Sequence, residues 1–145
     1  MSDTEADYEA FLAGRRPEDV LLYLREDVVS DPESLSAVSV TVDDGIVLVL
    51  PGEKGRSAFQ SAVGVDPMGF AREAMDRDGT VERDCTGGDC PDGEDDGSHE
   101  ARFVFAFAEA ENQDAGGLYA EGPVIHGYVA CECGTTYSER WVAES

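Results

Sequence analysis

Hydrophobic and polar positions follow two different periods along this chain, and the switches between them divide it into elements. Over 3–13, Tyr8, Phe11 and Leu12 gather on one side of an otherwise acidic stretch, which predicts a short helix ending at Gly14. The run Val20-Leu21-Leu22-Tyr23-Leu24 is short enough for a buried strand, although Pro17 ahead of it would also suit a first helical turn. The strand is the preferred reading. Ser30-Asp31-Pro32-Glu33 reads as a capped turn. The runs Val38-Ser39-Val40-Thr41-Val42 and Ile46-Val47-Leu48-Val49-Leu50 flank Asp43-Asp44-Gly45, and an Asp-Gly turn between β-branched runs predicts a hairpin. The second run is apolar at every position, as expected of a central strand covered on both faces.

Residues 51–55 read as a loop, 56–63 as a helix, and 68–76 as another helix capped by Asp66-Pro67, with Phe70, Ala71 and Ala74 facing inward. The polar, glycine-rich connection 77–100 is longer than ordinary loops, so it should be functional, metal-bound or disordered at its tip. Beyond it the period becomes two: Phe103, Phe105 and Phe107 alternate with Val104, Ala106 and Ala108. Residues 118–130 are expected to form one or two strands broken near Gly122-Pro123, and 135–142 the last strand. Cys131-Glu132-Cys133-Gly134 then falls at the hairpin turn between them. The pattern as a whole predicts an α+β fold in a single domain, 1–145, with N-terminal helices packed on a mixed sheet and C-terminal antiparallel strands. Residues 1–80 read as an α/β-type half and 81–145 as an antiparallel half with an acidic loop at 91–100.

Charge changes this picture first. Acidic residues number 32 against 10 basic ones, a formal charge of -22 on 145 residues, and Lys54 is the one lysine. The acidic positions are spread along the length and interleaved with apolar runs, so the chain reads as a folded core with an acidic skin rather than an acidic tail. Such a skin is tolerable in concentrated salt, where the Debye length falls to about 3 Å at about 1 M. Scarce lysine, equal numbers of Asp and Glu, and a core of Val and Ala resemble proteins of haloarchaea that accumulate molar potassium chloride. Nucleic-acid binding gains no support, since that binding leans on Lys and Arg. The start shows no charged-then-apolar segment and no apolar run approaches 18 residues, so neither a leader nor a membrane span is expected. A cytoplasmic location follows, where thiols stay reduced and clustered cysteines read as metal ligands.

The chemistry lies in the cysteines. Cys85-x4-Cys90 is followed, after forty residues, by Cys131-x-Cys133-Gly134. Two thiolate pairs on separate loops supply the four soft ligands of a tetrahedral zinc, here expected to be structural, with Cys85, Cys90, Cys131 and Cys133 as ligands. Glycines at 87, 88 and 134 allow amides to turn towards the sulfurs. Residues 84–91 and 124–142 resemble the knuckles of zinc ribbons, with spacings of four and one where ribbons have two. Alternatives stay open: small buried cysteines without a ligand role, a thiol-redox pair, an iron–sulfur cluster, or His99 replacing one thiol. His126 sits at opposite parity to Cys131 and should face the other way.

Other motifs are weaker. Pro51-Gly52-Glu53-Lys54-Gly55-Arg56-Ser57 leaves a strand and opens a helix, where the Gly55 amide and Arg56 could hold an anion; as a Walker loop it lacks the first Gly and the Lys. The loop 89–100 fails as a calcium loop, because its twelfth position would be Phe103. Tyr137 and Trp141 share one parity and would form either core or an exposed platform. No catalytic constellation appears at motif spacing.

Four segments together resemble a small haloarchaeal family of unknown function over nearly the whole length: Gly14-Arg15-Arg16-Pro17-Glu18-Asp19-Val20, Pro51 through Gln60, Thr86-Gly87-Gly88-Asp89-Cys90-Pro91, and Leu118-Tyr119-Ala120-Glu121-Gly122. The resemblance implies a lineage and no activity. The function expected from the sequence is therefore an interaction or adaptor module with an unknown protein partner. The alternatives are a small-molecule or anion binder, or an enzyme, at 52–57, and a thiol-redox protein.

Overall fold

Val20, Leu22 and Leu24 point to one side of strand β1 (Asp19–Arg25) and Leu21 and Tyr23 to the other, and all five are buried. A strand apolar on both faces needs cover on both, and this one lies inside the sheet with a layer on each side. The computed structural model describes residues 3–16, 19–25, 28, 39–42, 45–82, 85–90, 101–112, 114 and 116–143. The expected turn at 30–33, the tip 43–44 of the first hairpin, and the acidic loop 91–100 with His99 lie outside them.

The remaining strands are β2 (Ser39–Val42), β3 (Gly45–Pro51), β4 (Thr80–Val81), β5 (Gly88–Asp89), β6 (Ala101–Glu109), β7 (Val124–Cys131) and β8 (Thr136–Val142). Among the described residues, six of the eight strands form one sheet in the order β2-β3-β1-β6-β7-β8, while β4 and β5 form a separate small ladder. The ladders are antiparallel, and an isolated parallel bridge joins Asp78 to Ser138. Because β1 pairs with β6, the segments on either side of residue 80 share this sheet in one α+β domain.

Among the described residues four helices cover the sheet: α1 (Asp3–Leu12), α2 (Gly52–Val63), α3 (Pro67–Met75) and the short α4 (Leu118–Glu121). Against one face α1 places Phe11, with Tyr8 and Leu12 beside it, in a core with Leu21, Tyr23, Val47, Val104, Ile125 and Val129. Against the other face α2 and α3 place Phe59, Phe70, Ala71 and Ala74 on Leu22, Leu48, Phe103 and Phe105. Phe59 meets Phe103 and Phe105 edge-on at 5.3 Å, and Phe70 meets Phe103 at 5.1 Å. Each such pair contributes about 0.5–1.5 kcal/mol beyond its buried area. Asp66 caps α3 as expected, its side chain accepting from the Gly69 amide at 3.1 Å.

Two local expectations are corrected. Residues 52–55, read as loop, are the first turn of α2. Gly55 is buried there because the helix presses on β1: an added Cβ would stand 1.9 Å from Val20 Cγ2. The glycine that resembled a loop signal serves close helix–strand approach. Residues 118–121, read as strand, form α4, which ends at Gly122 before Pro123 starts the path into β7. The hairpin of β2 and β3, strand β1 and helix α1 match the expectation.

Candidate metal centre

The turn from β7 into β8 is a three-residue hairpin loop. The Cys131 amide donates to the Thr135 carbonyl at 2.9 Å, and the Gly134 amide donates to the Cys131 carbonyl at 2.9 Å. Gly134 takes φ 97°, the left-handed residue that such loops need before the second strand resumes. This geometry holds Cys131 and Cys133 on one side of the turn. Beside it the Arg25 guanidinium donates to the Glu132 carboxylate, tying the loop to the end of β1.

The other cysteines come from the β4–β5 hairpin, which is fastened to β8 and to the α1 face of the sheet. The Gly79 amide donates to the Ser138 carbonyl, the Ser138 amide to the Arg77 carbonyl, and the Val81 amide to Glu139 Oε1. Val81 is buried in the same core as Val129 and Cys131. Tyr137, 1% exposed, wedges against two glycines of the hairpin, Gly79 just before β4 and Gly88 in β5. A β-bulge between Ala101 and Phe103 contributes as well. It lets Ala101 pair with Cys131 on the α1 face while Phe103 joins the core under α2 and α3.

The two hairpins bring Cys90, Cys131 and Cys133 together, with their sulfurs within 4.8 Å of one another. Cys90 Sγ and Cys133 Sγ are 3.8 Å apart. Two ligands of a tetrahedral site with metal–sulfur bonds of about 2.3 Å stand about 3.8 Å apart, so this edge has the length a zinc site requires. Cys85 lies outside that group of three. It is fully buried in the core that contains Cys131 and against which Cys90 packs. Its φ of 64° is the left-handed value that non-glycine residues rarely adopt, held by the Cys85 amide donating to the Glu82 carbonyl at 2.9 Å.

Electrostatics separates the two sulfurs of the turn. Burial pushes the Cys131 thiol up to about 12. Hydrogen bonds from Thr135, side chain and backbone, pull the exposed Cys133 down to about 6. Cys133 thus favours the thiolate at neutral pH, while Cys131 keeps its proton unless a stronger partner such as a metal cation takes its place. The thiolate signal was legible in Cys-x-Cys-Gly. The bulge and the Tyr137 wedge were not.

His126 lies on the opposite face of β7, as parity predicted, and lines a cleft with Tyr119 and Tyr128. Its Nε2 is 2.9 Å from Glu109 Oε1, and its ring stacks on Phe107 at 4.7 Å. Arg56 and the rest of 52–57 stay outside this cleft; Lys54, Arg56 and Ser57 are exposed on α2. Tyr137 and Trp141, 8% exposed, belong to the core and form no exposed platform. Among the described residues no helix is long and apolar enough to cross a membrane.

Fold and site together define a two-faced antiparallel α+β domain with a cysteine cluster, able to bind a metal, built on two of its hairpins. The chain belongs to a family of unknown function, DUF5807, whose model matches residues 39–144 and so takes in all four cysteines. Comparison with curated proteins and with solved structures gave no match.

Opposed effects set the charge of His126. Burial, the largest of them, lowers its pKa, the Arg140 charge adds to that, and Glu109 raises it; the net direction is down. The folded chain therefore favours neutral imidazole. Its contribution to stability is complete above the ordinary value of about 6.5 and is lost as pH falls through the lowered folded value. Titrating the two histidine rings by NMR should give His126, assigned with His126→Gln, a midpoint below about 6.5. A midpoint above it would mean that the Glu109 charge outweighs burial.

Proposed function

We propose that Cys85, Cys90, Cys131 and Cys133 bind one structural zinc ion that locks the β4–β5 hairpin to the β7–β8 turn. The observation that carries this reading is the cluster of Cys90, Cys131 and Cys133 sulfurs, with its 3.8 Å edge between residues 43 positions apart. A donor set made only of thiolates favours zinc among common divalent ions. Cys85 is the fourth ligand in this reading, supported by its burial beside the cluster and its left-handed backbone. A closed four-sulfur site leaves no coordination position for substrate. Function then lies on the surface, as in an interaction or adaptor module for a partner protein. That role requires the partner captured by the native chain to be lost with the metal.

A second reading has its own support. Cys133 is exposed and ionises at about 6, with Cys90 Sγ 3.8 Å away, an arrangement suited to thiol–disulfide exchange. The metal decides between the two, because a redox pair has no need of stoichiometric zinc.

Elemental analysis of the purified chain should find one zinc per chain. Cys131→Ser should release it and cost at least about 3 kcal/mol, or about 10 °C in Tm. Cys85→Ser should do the same if the site has four sulfurs. Full stability of Cys131→Ser would count against a structural metal. The acidic surface fits a salt-adapted protein of a salt-filled cytoplasm. Its Tm should accordingly be higher in about 1 M than in about 0.1 M KCl, as the Debye length shrinks from about 10 to about 3 Å. An unchanged Tm would remove the salt adaptation.

A further inference from the structure

A cleft of about 510 Å³ lies between α3, α4 and the strands β6, β7 and β8. That volume lies in the range of small-molecule sites. Register builds its floor. Phe107 of β6 pairs with His126 of β7, which pairs with Arg140 of β8, so an aromatic ring, an imidazole and a guanidinium stand side by side. Phe107 stacks on His126 at 4.7 Å and on Tyr128 at 5.9 Å, their planes within 27° of parallel. From α4, Tyr119 closes one side, its hydroxyl 3.4 Å from His126 Nε2, and the Arg140 guanidinium lies 6.0 Å from the Tyr119 ring centre.

Arginine is better represented in the cleft than in the chain as a whole: Arg72 and Arg140 stand among three carboxylates, against 10 basic and 32 acidic residues overall. With carboxylates outnumbering basic groups by 32 to 10, arginines have carboxylate partners in abundance, and Arg16 and Arg25 take them. Arg72 and Arg140 line the cleft with no ion pair among the described residues. Two of the three carboxylates that share the lining are already engaged: Glu109 by His126 and Glu139 by the Val81 amide. Asp78 is the third. At the rim stand Met68 and Met75, 50% and 61% exposed on α3 and adaptable in shape.

We propose that this cleft binds a small aromatic acid: a flat ring against the Phe107–His126–Tyr128 wall, with its carboxylate held by Arg140 and Arg72. The ring is matched by stacking surfaces and the anion by a guanidinium that can form paired hydrogen bonds. The site lies on the face of the sheet opposite Cys131, so it stands or falls independently of the metal.

Methyl-labelled methionine gives a direct reading, because the chain has three methionines and two of them line the cleft. Benzoate, 4-hydroxybenzoate and indole-3-carboxylate are titrated into the full chain at one fixed ionic strength, with benzamide as the uncharged control. The expected result is a saturable shift of the Met68 and Met75 signals, but not of Met1, with at least one acid showing Kd below about 1 mM. Benzamide should bind about tenfold or more weakly than benzoate, the difference a charge-assisted pair supplies. Arg140→Ala, and Arg72→Ala as a second exposed substitution, should each remove most of that preference while leaving the methyl spectrum of the free chain folded. No saturable shift from any of the three acids at about ten times that concentration would overturn the proposal. Equal affinity for benzamide and benzoate would do so as well.

Discussion

Forty residues of chain separate Cys90 from Cys131, and the fold returns them to one point. That meeting is the constraint on which the C-terminal architecture turns. The β4–β5 hairpin has only two-residue strands, too few to be stable alone. It is held by the edge of β8, by Val81 in the core and by Tyr137 against its glycines. Those contacts deliver Cys90 to the Cys131–Cys133 turn, with Cys85 buried close behind. A metal at this point would cross-link the weakest ladder of the protein to one of its strongest strand pairs.

Each face of the sheet needs its own cover, and the two covers differ in kind. Phenylalanines from α2 and α3 fill one side with edge-on aromatic contacts. The other side, under α1 and the small hairpin, sets Val, Ala and the buried Cys85 and Cys131 among Phe11, Tyr23, Tyr137 and Trp141. Cys131 joins the cysteine cluster to this core, and a metal–sulfur cross-link there would add to what side-chain burial supplies. The phenylalanine-rich face carries a cleft instead, so that one sheet holds a cysteine cluster on one side and an aromatic cleft on the other.

Strong local periods made much of the fold legible in the sequence. Alternation gave β6, the Asp-Gly turn gave the β2–β3 hairpin, and Asp66-Pro67 gave the start of α3. Errors came where a residue type has two uses. Gly52 and Gly55 resembled loop residues, but helix α2 needs a small residue to press on Val20. Leu118-Tyr119-Ala120 carried too little period to distinguish a single helical turn from a strand. For the candidate site, spacing singled out four cysteines, and the fold brings the sulfurs of three of them together. The cleft was not legible, because it depends on the register that sets Phe107, His126 and Arg140 in a row, and register is fixed by long-range pairing.

The central claim is that four sulfurs share one metal ion, and X-ray absorption at the zinc edge of the purified chain tests it most directly. The account predicts a first shell of about four sulfur atoms at about 2.3 Å with no nitrogen or oxygen neighbour. A shell dominated by light atoms at about 2.0–2.2 Å, or no bound zinc at all, would contradict it.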